Sequence, residues 1–521
     1  MLFSFKLLRA HNLDKLIDLA DKYIFHGKLE KIIEVTYSYR EIEDGLYVNE
    51  TLFEEYLGLN YPNYTIEKLG LKYRFKIGIQ ILQLESLINK TKKTLVFSRH
   101  QSLRKTLFIE ALEYIKEILE ISVLGVDFEI EKGTGVSHLS KTKSLQLIHE
   151  IEKKERKIFG NKIISNSEEF WGCYNFISNI DTIENIKLSQ TDKKLIKGYL
   201  ETIRNFAPQK NPIRIEQDSR QNQVIQGFLQ KNISRKDYRE IFDTICEIYG
   251  LPQRTKITSA GSIYDGDKFL EIPRSQQFST LPLERILKLI THEIESHYIN
   301  IYNNNTLLGK FRGANNLPKE EGIAMFMERI FEGYNLDNIE SIIHIFFPIL
   351  GGECLNGNDF ITYMRILGKE CKQRRDYESS ILRAKRNYSL DYPGVQHKDL
   401  AYSRGLEEVL RYLKDGGEFY KLFLGKVGFH DIDHIHLIYS GSRQKNDIIF
   451  PLFFSDIVFY YLEQKKQDDS FIFDTKVFYL YLKKKYWFLD IERFKIIKRI
   501  ERKEKSILSL LRFIERRLDA K

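Results

Sequence analysis

Residues 291–298 read Thr-His-Glu-Ile-Glu-Ser-His-Tyr and continue an apolar helical run, Leu283-Glu-Arg-Ile-Leu-Lys-Leu-Ile290. No other stretch of the chain limits its fold so tightly. On an ideal helix, residues four apart lie roughly 40° apart around the axis, and residues five apart about 140°. His292 and His297 are five apart. Two imidazoles that far around a regular helix cannot meet one ion. If both rings serve one site, the helix carries a π-bulge or unwinds before His297.

The residue types explain why a shared site is the expectation. Histidine is scarce, 12 in 521 residues, yet two flank a carboxylate here. Neutral imidazoles bind zinc, and a carboxylate beside a ligand can take the proton of an activated water. A catalytic zinc usually has three protein ligands and keeps a fourth position for water. The third ligand must come from another element. Asn315-Asn-Leu-Pro-Lys-Glu-Glu-Gly-Ile-Ala-Met-Phe-Met-Glu328 reads as a helix start. Asn316 or Leu317 is expected near the cap, Pro318 in the first turn, and Glu320 and Glu321 in that same turn. Acids there also complement the helix dipole. Gly322 weakens a helix by about 1 kcal/mol, but it permits close backbone approach to a neighbouring helix.

Thr291-His-Glu-Ile-Glu-Ser-His297 followed by Glu320-Glu-Gly-Ile-Ala324 resembles the HExxxH and QEGLA motifs of a metallopeptidase family. Its eukaryotic members are the microtubule-associated tyrosine carboxypeptidases, and its bacterial members are known by the QEGLA motif. The resemblance extends upstream through Lys256-Ile-Thr-Ser-Ala-Gly-Ser and Phe269-Leu-Glu-Ile-Pro273, similar to the family's strand pair. Downstream it reaches His397-Lys-Asp-Leu-Ala-Tyr-Ser-Arg-Gly405, similar to a KDxxYxxG stretch. The segments keep the family's order over about half the chain, residues 200–440.

Carried over by position, the resemblance implies one zinc ion held by His292, His297 and Glu321, with Glu293 as general base. It implies Tyr402 as a donor to the tetrahedral intermediate, and Arg383 and Arg386 as the holders of a substrate carboxylate. The chain departs from the motif at Glu320, where the family has Gln, and at Ile323, where it has Leu. The implied fold is α+β and predominantly helical. It is a zincin-like catalytic domain with a small β-sheet beside the HExxxH helix. The implied activity is a zinc-dependent metallopeptidase of carboxypeptidase type. It would release C-terminal residues, tyrosine among them, from proteins or peptides through a Glu-activated water. A zinc aminopeptidase or amidase of other specificity is the alternative. So is a non-catalytic binding protein on the same fold, although a purely structural zinc site needs no Glu293.

Length and composition accommodate this. A chain of 521 residues is expected to hold two or three domains. The expected division is a helical amino-terminal region at 1–160, the metallopeptidase domain at 161–440 and a basic helical region at 441–521. Leu13–Phe25, Leu69–Leu95 and Gln101–Leu124 carry apolar residues at helical steps. Arg254–Thr258 and Lys268–Ile272 read as strands joined through Asp265-Gly266, a pair able to bind an extended peptide by strand addition. Cys173, Cys246, Cys354 and Cys371 form no CxxC pair and are expected as buried thiols in a reducing compartment.

No targeting segment or membrane span is evident, so a cytoplasmic protein is expected. Residues 483–521 hold 14 Lys or Arg against 6 Asp or Glu, an excess of +8 in a chain of net charge +9. An acidic partner at this basic helix is one reading; nucleic acid is set aside in favour of a solvated face on a packing helix. Phe429-His-Asp-Ile-Asp-His-Ile-His-Leu437 is rich in metal-binding types, but by chain position it falls in a helical region, and no second metal centre is expected there.

Overall fold

In the computed structural model, the described residues are 10, 12–20, 63–133, 167–179, 188–205, 226–258, 264–265, 269–309, 311–332, 347–355, 357–370, 397–444 and 446–519, with positions 7, 146, 150, 153, 154, 207 and 384. Helices dominate, and the strands are short. The chain forms two compact units whose segments interleave along the sequence. One comprises residues 1–213, 310–318 and 336–407; the other comprises 214–309, 319–335 and 408–521.

In the first unit, Asn63–Lys93 and Arg99–Gly133 are long helices packed against each other. Leu84, Leu87 and Ile88 on the first and Leu107, Ala111 and Leu112 on the second are buried, at steps that fit one helical face. A separate core gathers Phe170, Tyr199, Ile203, Phe347, Phe360 and Tyr363 from the helices Ser167–Ser178, Gln190–Arg204, Phe347–Cys354 and Gly357–Glu370. The amphipathic reading of the amino-terminal segments holds wherever they are described.

The second unit carries the strands. β1 (Asn232–Ser234) pairs antiparallel with β5 (Thr280–Pro282), with Ile233 opposite Leu281. β2 (Arg254–Thr258) runs parallel to β4 (Phe269–Pro273), and β3 (Tyr264–Asp265) lies antiparallel on the other side of β4. The sequence suggested that 254–258 and 268–272 were joined through Asp265-Gly266. Asp265 instead belongs to the short intervening strand, and the two longer strands are parallel. A parallel pair cannot be joined by a two-residue hairpin.

The helix Arg235–Tyr249 connects β1 to β2. Ser234 caps it by accepting the Asp237 N–H, and Gly250 closes it in the left-handed region at φ 74°. A Cβ at Gly250 would meet no atom within 4 Å, so the backbone conformation alone opposes a side chain. Gly250→Ala is expected to cost about 1 kcal/mol. It should lower the urea midpoint and leave the slope unchanged.

The carboxyl-terminal helices Phe454–Gln467, Thr475–Lys485 and Ile496–Asp519 belong to this unit. In the last of these, Ile500, Ile507, Leu510, Leu511, Ile514 and Leu518 are buried, and most of its Lys and Arg residues are exposed. That helix packs on Arg235–Tyr249, where Arg517 pairs with Asp237 at 3.0 Å. Cys246 and Cys354 are buried free thiols. Among the described residues, no helix is long and apolar enough to cross a membrane.

Candidate metal centre

β5 leads directly into the helix Leu283–Leu289, which widens into a π-helix over Ile290–Tyr298. The Ile299 N–H reaches back five residues to the Ile294 carbonyl. Buried side chains serve the carbonyls of this distorted stretch. Ser296 Oγ donates to Thr291 O at 2.8 Å, and Asn300 Nδ2 donates to Ser296 O at 3.1 Å. Thr291 Oγ1 and Ser455 Oγ both donate to Leu287 O. A π-turn puts residue i+5 where an α-turn puts i+4. His292 and His297 therefore come together, with ring centroids 4.9 Å apart.

The partner helix is Asn316–Glu332. It starts at Asn316, after Asn315 at φ 50°, so Glu320 and Glu321 fall in its second turn rather than its first. Glu321 Oε2 lies 3.9 Å from His292 Nε2 and 3.7 Å from His297 Nε2. One ligand atom from each of the three residues lies within 4.8 Å of the others. Two ligand atoms on a tetrahedral zinc with bonds of about 2.0 Å are ~3.3 Å apart. The trio thus matches one zinc with a small inward movement.

Each ring is held from behind by a carboxylate. His292 Nδ1 meets Glu328 Oε1 at 2.7 Å, and His297 Nδ1 meets Glu320 Oε1 at 2.8 Å. With Nδ1–H donated to an acid, each Nε2 keeps its lone pair on the side of Glu321. Burial lowers the His292 pKa, but the Glu328 charge and hydrogen bond outweigh it, so the net direction is up. Burial likewise raises Glu328, and His292, then Arg285 and Lys288, bring it below the usual carboxylate range.

Two lysines reach the same region. Lys426 forms an ion pair with Glu320 Oε1. Lys319 Nζ donates to Leu422 O at 2.9 Å and Gly425 O at 2.6 Å. Burial pushes the Lys319 ammonium down to about 7, against the opposing pull of Glu320 and Asp431.

Among the residues picked out from the sequence, Glu293 is buried in the π-helix beside His292. Tyr402 is half-buried in the helix His397–Lys414 and belongs to the first unit. Arg383 and Arg386 lie outside the described residues. The sequence reading missed three members. Glu328 follows Glu321 by seven residues, hence two turns along one helical face, and that spacing could have exposed it. Glu320 was read as a helix-start acid and a departure from a motif, with no part in holding a ring. Lys426, in a short loop far along the chain, carried no signal. The second histidine cluster does lie in a helix, Ile432–Gly441. There His434 pairs with Asp431 at 3.2 Å, and His436 faces the Tyr420 hydroxyl at 3.3 Å.

Two imidazoles and a carboxylate, backed by two further carboxylates, are a ligand set for a divalent cation. The profile of the family described as microtubule-associated tyrosine carboxypeptidase matches residues 221–453. That segment, which contains the whole trio, is similar to the tyrosine carboxypeptidase family. No curated protein and no solved structure gives a significant match.

Proposed function

We propose that the second unit is a zincin-like catalytic unit, and that the chain is a zinc-dependent carboxypeptidase acting on the C-termini of proteins or peptides. One observation carries the zinc part. The π-helix brings His292 and His297 onto one side, where Glu321 faces both Nε2 atoms at 3.7 and 3.9 Å. The family match supports the carboxypeptidase part.

Bound there, zinc would acidify a water towards a pKa of about 7 and polarise the scissile carbonyl. The chain's own residues divide the rest of the work. His292, His297 and Glu321 hold the ion. Glu328 and Glu320 fix the two rings through Nδ1. Glu293, next to a ligand and buried, accepts the water proton on its carboxylate and returns it to the leaving amine. The family resemblance alone assigns Tyr402 to the developing oxyanion, and Arg383 and Arg386 to the substrate's terminal carboxylate.

The test is a peptide library with varied C-termini, incubated with zinc-loaded protein and read by mass spectrometry. Loss of single C-terminal residues is expected, abolished by chelation and restored by zinc. Release of amino-terminal residues or internal cleavage would point to the aminopeptidase or amidase reading. A zinc-loaded protein that cleaves nothing in the library would favour a binding role.

A further inference from the structure

We infer that Lys426 and Glu320 form a buried positioning pair that aims the His297 ring at the metal. The inference rests on the zinc reading above and concerns how this chain builds one arm of that site. A single oxygen, Glu320 Oε1, takes both contacts: the Lys426 ammonium and, at 2.8 Å, His297 Nδ1. The three side chains are nearly sealed from water, at 3%, 6% and 5% exposure for Lys426, Glu320 and His297. A charge pair so secluded is poor value for stability, because desolvation offsets its attraction and apolar residues of like volume do as well. What it adds is direction. The ammonium fixes the rotamer of the carboxylate, and the carboxylate fixes the plane and tautomer of the ring.

The backbone that delivers Lys426 is itself clamped. Lys426 N donates to Asn304 Oδ1 at 3.0 Å, and Asn303 Nδ2 donates to Phe423 O at 2.7 Å. Lys319 holds the carbonyls of Leu422 and Gly425. At Gly425, φ is 157° and a Cβ would meet Asn304 Oδ1 at 3.2 Å, so the loop is pressed against the Ile299–Leu307 helix. Three buried side chains therefore hold four of the five loop positions 422–426, and the ammonium is presented from a fixed frame. Behind the other ring, Arg285 and Lys288 act on the orienting acid by charge. That acid, Glu328, is 23% exposed.

The experiment compares wild type with two double variants, Glu320→Leu/Lys426→Met and Glu320→Gln/Lys426→Met. Both remove the buried charges together and so leave none unpaired. Zinc affinity is measured by competition with a chromophoric chelator. The visible spectrum of the cobalt(II)-substituted protein reports ligand geometry, and urea melts report the fold. The Leu/Met variant should melt cooperatively yet bind zinc about 10–100-fold more weakly, with an altered cobalt spectrum. The Gln/Met variant should recover much of that loss, because its amide oxygen can again accept from Nδ1. A folded Leu/Met variant with wild-type affinity and spectrum overturns the inference. So does a failure of both doubles to fold, which would make the pair a requirement of the fold. Failure of wild type to bind either metal would sink the zinc reading itself, a distinguishable result.

Discussion

Replacing Glu293 by Gln is expected to lower kcat for release of a C-terminal residue by about 10²–10⁴-fold, with zinc content unchanged. The size follows from the one property that the substitution removes. Gln keeps the length and polarity of the side chain but cannot accept a proton. The ring-holding contacts belong to Glu328 and Glu320, and the proposed third ligand position to Glu321, so the proposed metal set does not depend on Glu293. Steady-state rates and metal content measured on the same preparation check this. Full activity in the variant would remove Glu293 from the chemistry. Joint loss of zinc and activity would make it part of the metal set rather than the base. Glu321→Gln supplies the contrast, since it weakens a ligand and should reduce zinc content along with rate.

The distortion was legible because the arithmetic of a helix left few choices. A five-residue step between rings proposed to share an ion demands a wide turn or a break, and the π-helix over Ile290–Tyr298 is the wide turn. The supporting hydroxyls and amides of Thr291, Ser296 and Asn300 were visible as residue types, but nothing in their order said which carbonyls they would serve. The position of Glu321 relative to the rings was accessible only through resemblance. Local pattern put it near a helix start and left Glu320 equally eligible. The structure separates the two acids. Glu321 faces both Nε2 atoms, and Glu320 stands behind His297.

The unread parts share a physical cause. Hydrophobic periodicity reports which face of a helix is buried, and the carboxyl-terminal helix followed it closely through Ile500, Ile507, Leu511 and Leu518. It says nothing about a loop. Lys426 reaches Glu320 through backbone contacts made by Asn303, Asn304 and Lys319, more than a hundred residues earlier in the chain. The two longer strands were legible at 254–258 and 268–272, but the way they are joined was not. A two-residue strand such as β3, which lies antiparallel on β4 while β2 lies parallel, has too little alternation to register.

Glu295→Ala should have the largest effect on stability, about 3–5 kcal/mol. Glu295 lies two residues from Glu293 on the same π-helix but is completely buried and does different work. Its Oε1 accepts from the Tyr249 hydroxyl, from the Leu452 N–H at 3.2 Å and from the Phe454 N–H at 2.8 Å. Those contacts tie the metal helix to the start of Phe454–Gln467, where Phe453 holds φ 57°. The Leu452 N–H keeps the Tyr249 hydroxyl oxygen at 2.7 Å, but alanine takes this acceptor from the Tyr249 hydroxyl and the Phe454 N–H in a site that water cannot reach, and each orphaned donor costs about 1–3 kcal/mol. Glu295→Gln should cost only about 1 kcal/mol, because an amide oxygen can take the same bonds. Burial pushes the Glu295 carboxyl up to about 7, so an amide also imitates its neutral form. That raised pKa gives a sign that can be checked. The carboxyl's share of stability is complete below its unfolded value of 4.5 and declines as pH climbs through about 7. The Gln variant should lose that slope. Urea midpoints for the three proteins across this pH range decide the matter. An Ala variant within about 1 kcal/mol of wild type would show that the Glu295 cluster is not what anchors the metal helix.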